Sequence, residues 1–146
     1  MKSLIAKKVN MTQIFDELGR VTAVTLLQAE EITGFEEGET VEVVGISKGK
    51  GFQGVVKRHK FKGGRRSHGQ KHSEREAGSI GGGGRAGGRV AKGMRMAGRM
   101  GGDRVTVKNL KIVKIIPESN EIFISGAIPG RRGTKIMVKQ NSSKNA

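Results

Sequence analysis

Hydrophobic and polar residues alternate in several short runs of this chain, as they do in strands with one buried face and one solvated face. The turn residues Asp16–Gly19 and Pro117–Asn120 separate pairs of such runs and predict tight turns between antiparallel strands. The predicted strands are Leu4–Val9, Val21–Leu27, Thr40–Ile46, Val105–Ile116, Glu121–Ser125 and Lys135–Val138. Short strands, tight turns and the absence of a long helical pattern predict an all-β (mainly β) barrel or sandwich.

The segment Lys48–Arg104 interrupts this pattern. It holds 16 of the 28 lysines and arginines, 17 of the 24 glycines and only three acids, so it carries +13 of the total formal charge of +15. Such a segment has almost no apolar surface to bury, and its like charges repel one another. We therefore expect it to order itself around a polyanion, since lysine and arginine neutralise phosphates and glycine permits close approach of the backbone.

The length and the remaining composition favour one soluble intracellular domain over residues 1–146. Within it, we expect 48–104 to be an extended nucleic-acid-binding loop and 140–146 a polar tail that frays. The chain has no cysteine, which excludes disulfides and thiolate metal sites. No apolar run is long enough to span a bilayer, and the first residues lack the pattern of a signal peptide. Glu30–Glu42 contains six glutamates and no basic residue, and we expect a solvated acidic turn there.

Nucleic acid is the favoured partner of so much positive charge, because glycine interrupts the basic run too often for an amphipathic membrane-binding helix. The chain has five phenylalanines but no tyrosine or tryptophan, which argues against stacking of many bases. Contacts to phosphate, sugar and groove shape are expected instead. The candidate nucleic-acid-binding residues, for which the family resemblance described below implies rRNA, are Lys48, Lys50, Lys57, Arg58, His59, Lys60, Lys62, Arg65, Arg66, His68, Lys71, His72, Arg75, Arg85, Arg89, Lys92, Arg95, Arg99 and Arg104.

Some short motifs would indicate an enzyme or a cofactor site, but the residues around them do not fit such a site. Gly49–Gly54 matches G-x-G-x-x-G, but a basic, glycine-broken run follows it where a dinucleotide site needs a helix and a second parallel strand. Gly82–Arg85 lacks the Gly-Lys-Ser/Thr of a phosphate-binding P-loop. Only Lys50–Phe52 fits the aromatic strand of an RNA-recognition motif. We therefore predict no cofactor, no small-molecule substrate and no enzymatic activity.

Histidines and methionines of the basic segment invite two further interpretations. His68 and His72 have a spacing that can bind metal, but no third and fourth ligand accompany them, and Ser67–His68 lies in a loop rather than in a catalytic cleft. We predict histidines that contact RNA and no metal. Met94, Met96 and Met100 either anchor the return of the segment to the barrel or fill gaps against RNA, and the sequence leaves both alternatives open.

Several segments together resemble one family, that of bacterial large ribosomal subunit protein three. The matching segments, in the order of the family, are Lys7–Asp16, Ser47–His59, Ser67–Gly69, Gly78–Gly81, Gly98–Gly102 with Arg104–Val107, and Gly126–Gly130. The resemblance covers nearly the whole chain, and the combination is much more specific than any single segment.

The resemblance implies a small closed β-barrel with a long irregular Gly/Lys/Arg-rich loop that runs inward toward the peptidyl transferase centre, with Ile80–Gly88 near its tip. It implies a structural protein that binds large-subunit rRNA beside neighbouring ribosomal proteins, helps to initiate assembly, and lies in the cytoplasm within the ribosome. A free RNA chaperone or nucleoid-like protein without a fixed site is the alternative. Neither a membrane nor a small-molecule substrate is expected as a partner.

This chain departs from the family pattern at three places, and it resembles a shortened form. The α/β insertion that usually follows the second strand is missing, because Leu27 leads almost directly into the acidic segment. Asn10 stands where glycine is usual. The tip, residues 82–88, lacks the usual proline and the glutamine that some bacterial members methylate, so we expect no methylation there.

Overall fold

The computed structural model describes residues 2–82 and 87–141, and most of the ordered elements are antiparallel strands. The strands are β1 (Ser3–Phe15), β2 (Val21–Ala29), β3 (Thr40–Ile46), β4 (Phe52–Gln53), β5 (Gly98–Arg99), β6 (Arg104–Ile116), β7 (Glu121–Ser125) and β8 (Lys135–Gln140), with helix α1 (Val55–His59) and a 3₁₀ turn at Pro117–Ser119. No helix among these residues is long and apolar enough to cross a membrane.

Six of the strands form a closed barrel in the order β1-β2-β7-β6-β3-β8. Strand β8 completes it by pairing with β1 on one side and β3 on the other, so that Lys139 lies opposite both Ser3 and Glu42. The strands predicted from the alternating pattern are confirmed. Of the two predicted all-β architectures, barrel and sandwich, the structure is the barrel. Closure leaves fewer free strand edges than an open sheet would have.

The hydrophobic core fills the barrel with one face of each strand. Leu27, Ile122 and Ile124 have no exposed surface, and their neighbours along the strands point outward, as the period of two requires. The cluster of buried residues consists of Ala6, Leu27, Ala29, Phe35, Val41, Val43, Ile112, Ile122, Ile124, Ile128, Ile136 and Val138. Burial of these aliphatic side chains, at about 25 cal/mol per Å² of apolar surface, is the main stabilising contribution.

The acidic connection between β2 and β3 is more ordered than a solvated turn. Phe35 is buried in the core cluster, and the backbone of Gly38 and Glu39 bonds to Ile112, with Gly38 N donating to Ile112 O at 2.8 Å. Glu37 Oε1 accepts a hydrogen bond from Ile115 N at 2.8 Å. The connection therefore covers one part of β6, while the side chains of most of its glutamates remain exposed.

A buried lysine occupies a β-bulge in β1, where the register with β2 shifts between Lys8 and Asn10. Lys8 is 8% exposed, and its Nζ donates hydrogen bonds to Ile128 O at 2.8 Å and Gly130 O at 3.1 Å. Burial lowers the pKa of Lys8 from the ordinary 10.5, and the nearby charge of Lys48 lowers it further. The side chain thus fastens the loop before β8 to the barrel.

Replacement of Lys8 by Met should lower the free energy of unfolding by about 1–3 kcal/mol, because two buried carbonyl groups would lose their donor. The pH dependence should change as well. Between the lowered pKa and 10.5 the unfolded chain binds more protons than the folded chain, so the Lys8 contribution to stability increases as the pH rises through that window.

Urea unfolding of the parent and of Lys8→Met between neutral pH and about pH 10.5 measures both effects. Lys7→Met, at the exposed neighbouring position, is the matched control and should leave the stability nearly unchanged. A Lys8→Met protein as stable as the parent, with the same alkaline profile, would contradict the assignment of Lys8 as a buried tether.

The chain divides into two compact units. The barrel unit comprises Met1–Lys48 and Gly102–Ala146, and the basic unit comprises Gly49–Gly101. The predicted limits of the basic segment, 48 and 104, lie close to this division, while the assignment of the whole chain to one domain remains a prediction. Gln140, the first residue of the predicted polar tail, ends β8, and Asn141 N donates to Thr40 O at 3.3 Å. Residues 142–146 lie outside the described ones, so the frayed tail stays a prediction.

Candidate nucleic-acid interface

The side chains predicted to bind rRNA are almost all exposed. Only Arg58 and His59 are half-buried among the predicted residues that the structure describes. Arg85 lies outside the described residues, as does part of the predicted tip. The exposed ones are Lys48, Lys50, Lys57, Lys60, Lys62, Arg65, Arg66, His68, Lys71, His72, Arg75, Arg89, Lys92, Arg95, Arg99 and Arg104. The ammonium and guanidinium groups of the lysines and arginines, and the imidazoles of the two histidines, are thus accessible to RNA.

A short antiparallel ladder joins the first and last residues of the basic unit. Phe52 pairs with Arg99 and Gln53 with Gly98. Lys50 N donates to Met100 O at 2.9 Å, and Met100 N donates to Gly51 O at 3.0 Å. The sequence predicted an irregular loop here. The ladder was not predicted, because its two halves are distant in sequence and contain few β-branched residues.

Helix α1 follows the ladder and positions the first cluster of cations. Val55 is its one buried residue, and Lys57, Arg58 and His59 lie in its last turn, where the helix dipole favours positive charge. Lys60 ends the helix in the left-handed conformation at φ +60°. This helix is too short to provide an amphipathic face, so the expectation that no membrane-binding helix forms here is not affected.

Arg58 and His59 turn toward the other arm of the basic unit instead of toward solvent. Arg58 Nη1 donates to Met96 O at 2.8 Å, and His59 Nε2 lies 3.1 Å from the same oxygen. The His59 ring also contacts Phe61, with centroids 6.1 Å apart. Both residues were predicted as rRNA contacts. Their geometry gives them a structural role within the protein, since one carbonyl oxygen holds both side chains.

A second close approach joins residues 63–66 to residues 73–74. Gly64 N donates to Glu74 O at 2.8 Å, and Arg66 Nε lies 3.4 Å from Glu74 Oε2. Gly63 has φ +76°, and a Cβ at this position would collide with the Glu74 carbonyl oxygen. Glycine is therefore required here both by conformation and by space. Glu74, one of the few acids of the segment, compensates part of its local charge.

The histidines and methionines of the basic segment differ in how exposed their side chains are. His68 and His72 are exposed, and among the described residues no three side chains of His, Asp or Glu come together as a metal ion requires. Met94 and Met96 are 40% and 37% exposed, whereas Met100 is half-buried in the ladder. Met100 therefore anchors the returning arm, and the two exposed methionines are available to a partner.

Charge is strongly segregated between the two parts of the sequence. Outside Lys48–Arg104 the chain has 12 lysines and arginines against ten acids, so nearly all of the net charge belongs to the basic segment. Sixteen of the described glycines have positive φ, and many of these, such as Gly51 and Gly69, have open space where a side chain would stand. Glycines let the protein backbone come close to closely spaced phosphates, and the exposed cations can neutralise those phosphates. Both features suit a polyanionic partner.

Comparison with known proteins gives consistent matches. Residues 1–124 match the family model described as Ribosomal protein L3. The chain is 56% identical over 107 residues to large ribosomal subunit protein uL3 of Chlorobium limicola, covering 73% of this chain and 51% of the relative. It is 47% identical over 127 residues to the protein of that name from Chlorobium phaeovibrioides, covering 87% of this chain and 58% of the relative. The Herpetosiphon aurantiacus protein of that name is 55% identical over 106 residues, covering 73% of this chain and 50% of the relative. The chain spans about half the length of the curated relatives it matches.

Proposed function

We propose a function that proceeds from one premise: the chain belongs to the ribosomal protein L3 family. Members of this family are structural ribosomal proteins and not enzymes. On this basis the chain is a structural constituent of the large ribosomal subunit. It binds large-subunit (23S) rRNA in the cytoplasm, helps to initiate assembly of the subunit, and contacts neighbouring ribosomal proteins.

The observation that carries the proposal is the exposure of the cations in the basic unit. Most of them, such as Lys57, Lys62 and Arg65, make no hydrogen bond or ion pair to another described residue. Unpaired lysines and arginines bind phosphates and release condensed counterions, which supplies much of the affinity for RNA. The glycines allow the backbone to follow a narrow path between RNA helices. We propose that this unit extends toward the peptidyl transferase centre, with residues near Ile80 closest to it.

The alternative, a free RNA chaperone, rests on the same charge but requires no fixed site. The experiment that separates the two is sucrose-gradient sedimentation of a lysate that contains the tagged chain, followed by a high-salt wash of each fraction. A ribosomal constituent sediments with large subunits and remains there through the wash. A chain that is distributed over all RNA-containing fractions and is lost at high salt would instead support the chaperone.

A photo-crosslinking amino acid at Ile80, which is 39% exposed, tests the proposed path of the basic unit. In purified large subunits it should crosslink to nucleotides of the peptidyl transferase region. The same group at Phe15, which is exposed on the β1–β2 hairpin, should give different crosslinks. If Ile80 crosslinks only to rRNA at the subunit surface, the proposed path is wrong while rRNA binding still stands.

A further inference from the structure

Phe52 has an unusual setting for an exposed aromatic side chain. It is 74% exposed, whereas Phe35 is buried in the barrel core and Phe61 packs against His59. Single exposed apolar residues are common on protein surfaces and require no explanation by themselves. What distinguishes Phe52 is the backbone that holds its ring and the groups that surround it.

The backbone around Phe52 is fixed on both sides. Phe52 and Gln53 pair with Arg99 and Gly98 in the β4–β5 ladder, and two further backbone hydrogen bonds between residues 50–51 and Met100 extend it. The Gln53 side-chain amide also donates to Lys50 O. The ring is thus presented from an ordered ribbon, which lowers the entropy that a binding partner must overcome.

The surroundings of Phe52 suit a nucleotide better than an apolar protein surface. Arg99 lies directly across the ladder and is exposed, and it joins Phe52, Met100 and three glycines, Gly49, Gly51 and Gly101, in lining one open depression. A side chain added at Gly49 or Gly51 would meet no atom within 4 Å. The depression therefore combines a ring face, a guanidinium group and bare backbone, which correspond to the base, phosphate and sugar of one nucleotide.

We propose that Phe52 stacks on one unpaired base of the rRNA and that Arg99 binds the phosphate of the same nucleotide. The proposal rests on the function proposed above and adds to it a defined site. The base must be unpaired, because the faces of paired bases inside a helix are covered by their neighbours. The site is a single stacking contact and so agrees with the scarcity of aromatic residues in the chain.

The salt dependence of RNA binding separates base stacking by Phe52 from phosphate binding by Arg99. Stacking is nearly independent of salt, whereas each phosphate contact changes the slope of log affinity against log salt by about 0.7–0.9. Phe52→Leu should therefore weaken binding of a large-subunit rRNA fragment by roughly 5- to 150-fold at every salt concentration, with an unchanged slope. Arg99→Gln should lower the slope by about 0.7–0.9.

Two further variants control for shape and for exposure. Phe52→Tyr keeps the ring and should bind within about threefold of the parent. Phe15→Leu makes the same change at another exposed phenylalanine, which is 61% exposed in the barrel unit, and should leave RNA binding unchanged. Because Phe52 is exposed, thermal unfolding of all variants should match that of the parent.

Chemical probing of the RNA identifies the nucleotide. One unpaired position should be protected by the parent and by Phe52→Tyr, and should regain its reactivity with Phe52→Leu at saturating protein. If Phe52→Leu binds the fragment as tightly as the parent, the stacking site is wrong. If it binds normally but fails to enter large subunits, Phe52 contacts a protein, and the proposal is also wrong. A parent chain that does not bind the fragment at all would refute the proposed function itself.

Discussion

Replacement of Gly49–Gly101 by a short Gly-Ser linker should leave a folded barrel that binds rRNA on the order of a thousandfold more weakly than the full chain. Every residue of the main hydrophobic cluster belongs to the barrel unit. The two stretches of the barrel unit that the linker would join lie next to each other. Ser47 N donates to Asp103 O at 2.9 Å, and Gly102 N donates to Ser47 O at 3.2 Å. The linker therefore has only a short distance to span.

Thermal unfolding and circular dichroism check the fold of the linker variant, and filter binding over a range of salt concentrations checks its affinity. The variant should unfold cooperatively with a β spectrum, and its affinity should depend weakly on salt. A variant that binds rRNA as tightly as the full chain would place the RNA-binding surface on the barrel. Failure to fold would show that the barrel needs the basic unit.

Simultaneous replacement of Lys57, Lys62, Arg65 and Lys71 by Gln should have the next largest effect. All four side chains are exposed and none has an ion pair with another described residue, so the change leaves the internal contacts of the unit intact. If each contacts one phosphate, the slope of log affinity against log salt falls by about 3, and affinity near 100 mM salt falls on the order of a hundred- to a thousandfold.

A matched variant removes the same amount of charge from the barrel. Its four lysines are exposed as well: Lys7, Lys111, Lys114 and Lys135. It should change the slope by less than about 1, since the sequence outside Lys48–Arg104 has ten acids against 12 lysines and arginines and therefore little net charge. Equal losses in the two variants would mean that total charge, and not its position in the basic unit, determines binding. Such a result would favour the chaperone-like alternative.

The barrel was largely predictable from sequence, because half-buried strands leave a period of two that survives in any context. Val41, Val43 and their outward neighbours show this pattern, and β3 lies where it was predicted. The bulge at Lys8 was not predictable. Lysine is normally solvated, and only the positions of the Ile128 and Gly130 carbonyls explain why this one is buried.

The contacts inside the basic unit correspond to no such hydrophobic pattern in the sequence. Its order depends on contacts between a side chain and a distant backbone group, as between Arg58 and Met96, or between two backbone groups, as between Gly64 and Glu74. Such contacts impose no hydrophobic period on the sequence. Composition could predict the positive charge and suggest a polyanionic partner, but it could not predict that Arg58 and His59 would both contact the Met96 carbonyl oxygen.

The position of β8 between β1 and β3 has a consequence for the time course of synthesis. Lys139 must be made before it can pair with Ser3 and Glu42, whereas residues 49–101 have been translated earlier. At elongation rates of about 5–20 residues per second, the delay between Gly101 and Lys139 is on the order of seconds. During this interval the nascent chain carries its most positive stretch on a sheet that is still open. The basic segment of a nascent chain can therefore contact a polyanion before the barrel closes. An RNA that is already transcribed would then bind a chain whose barrel is still incomplete.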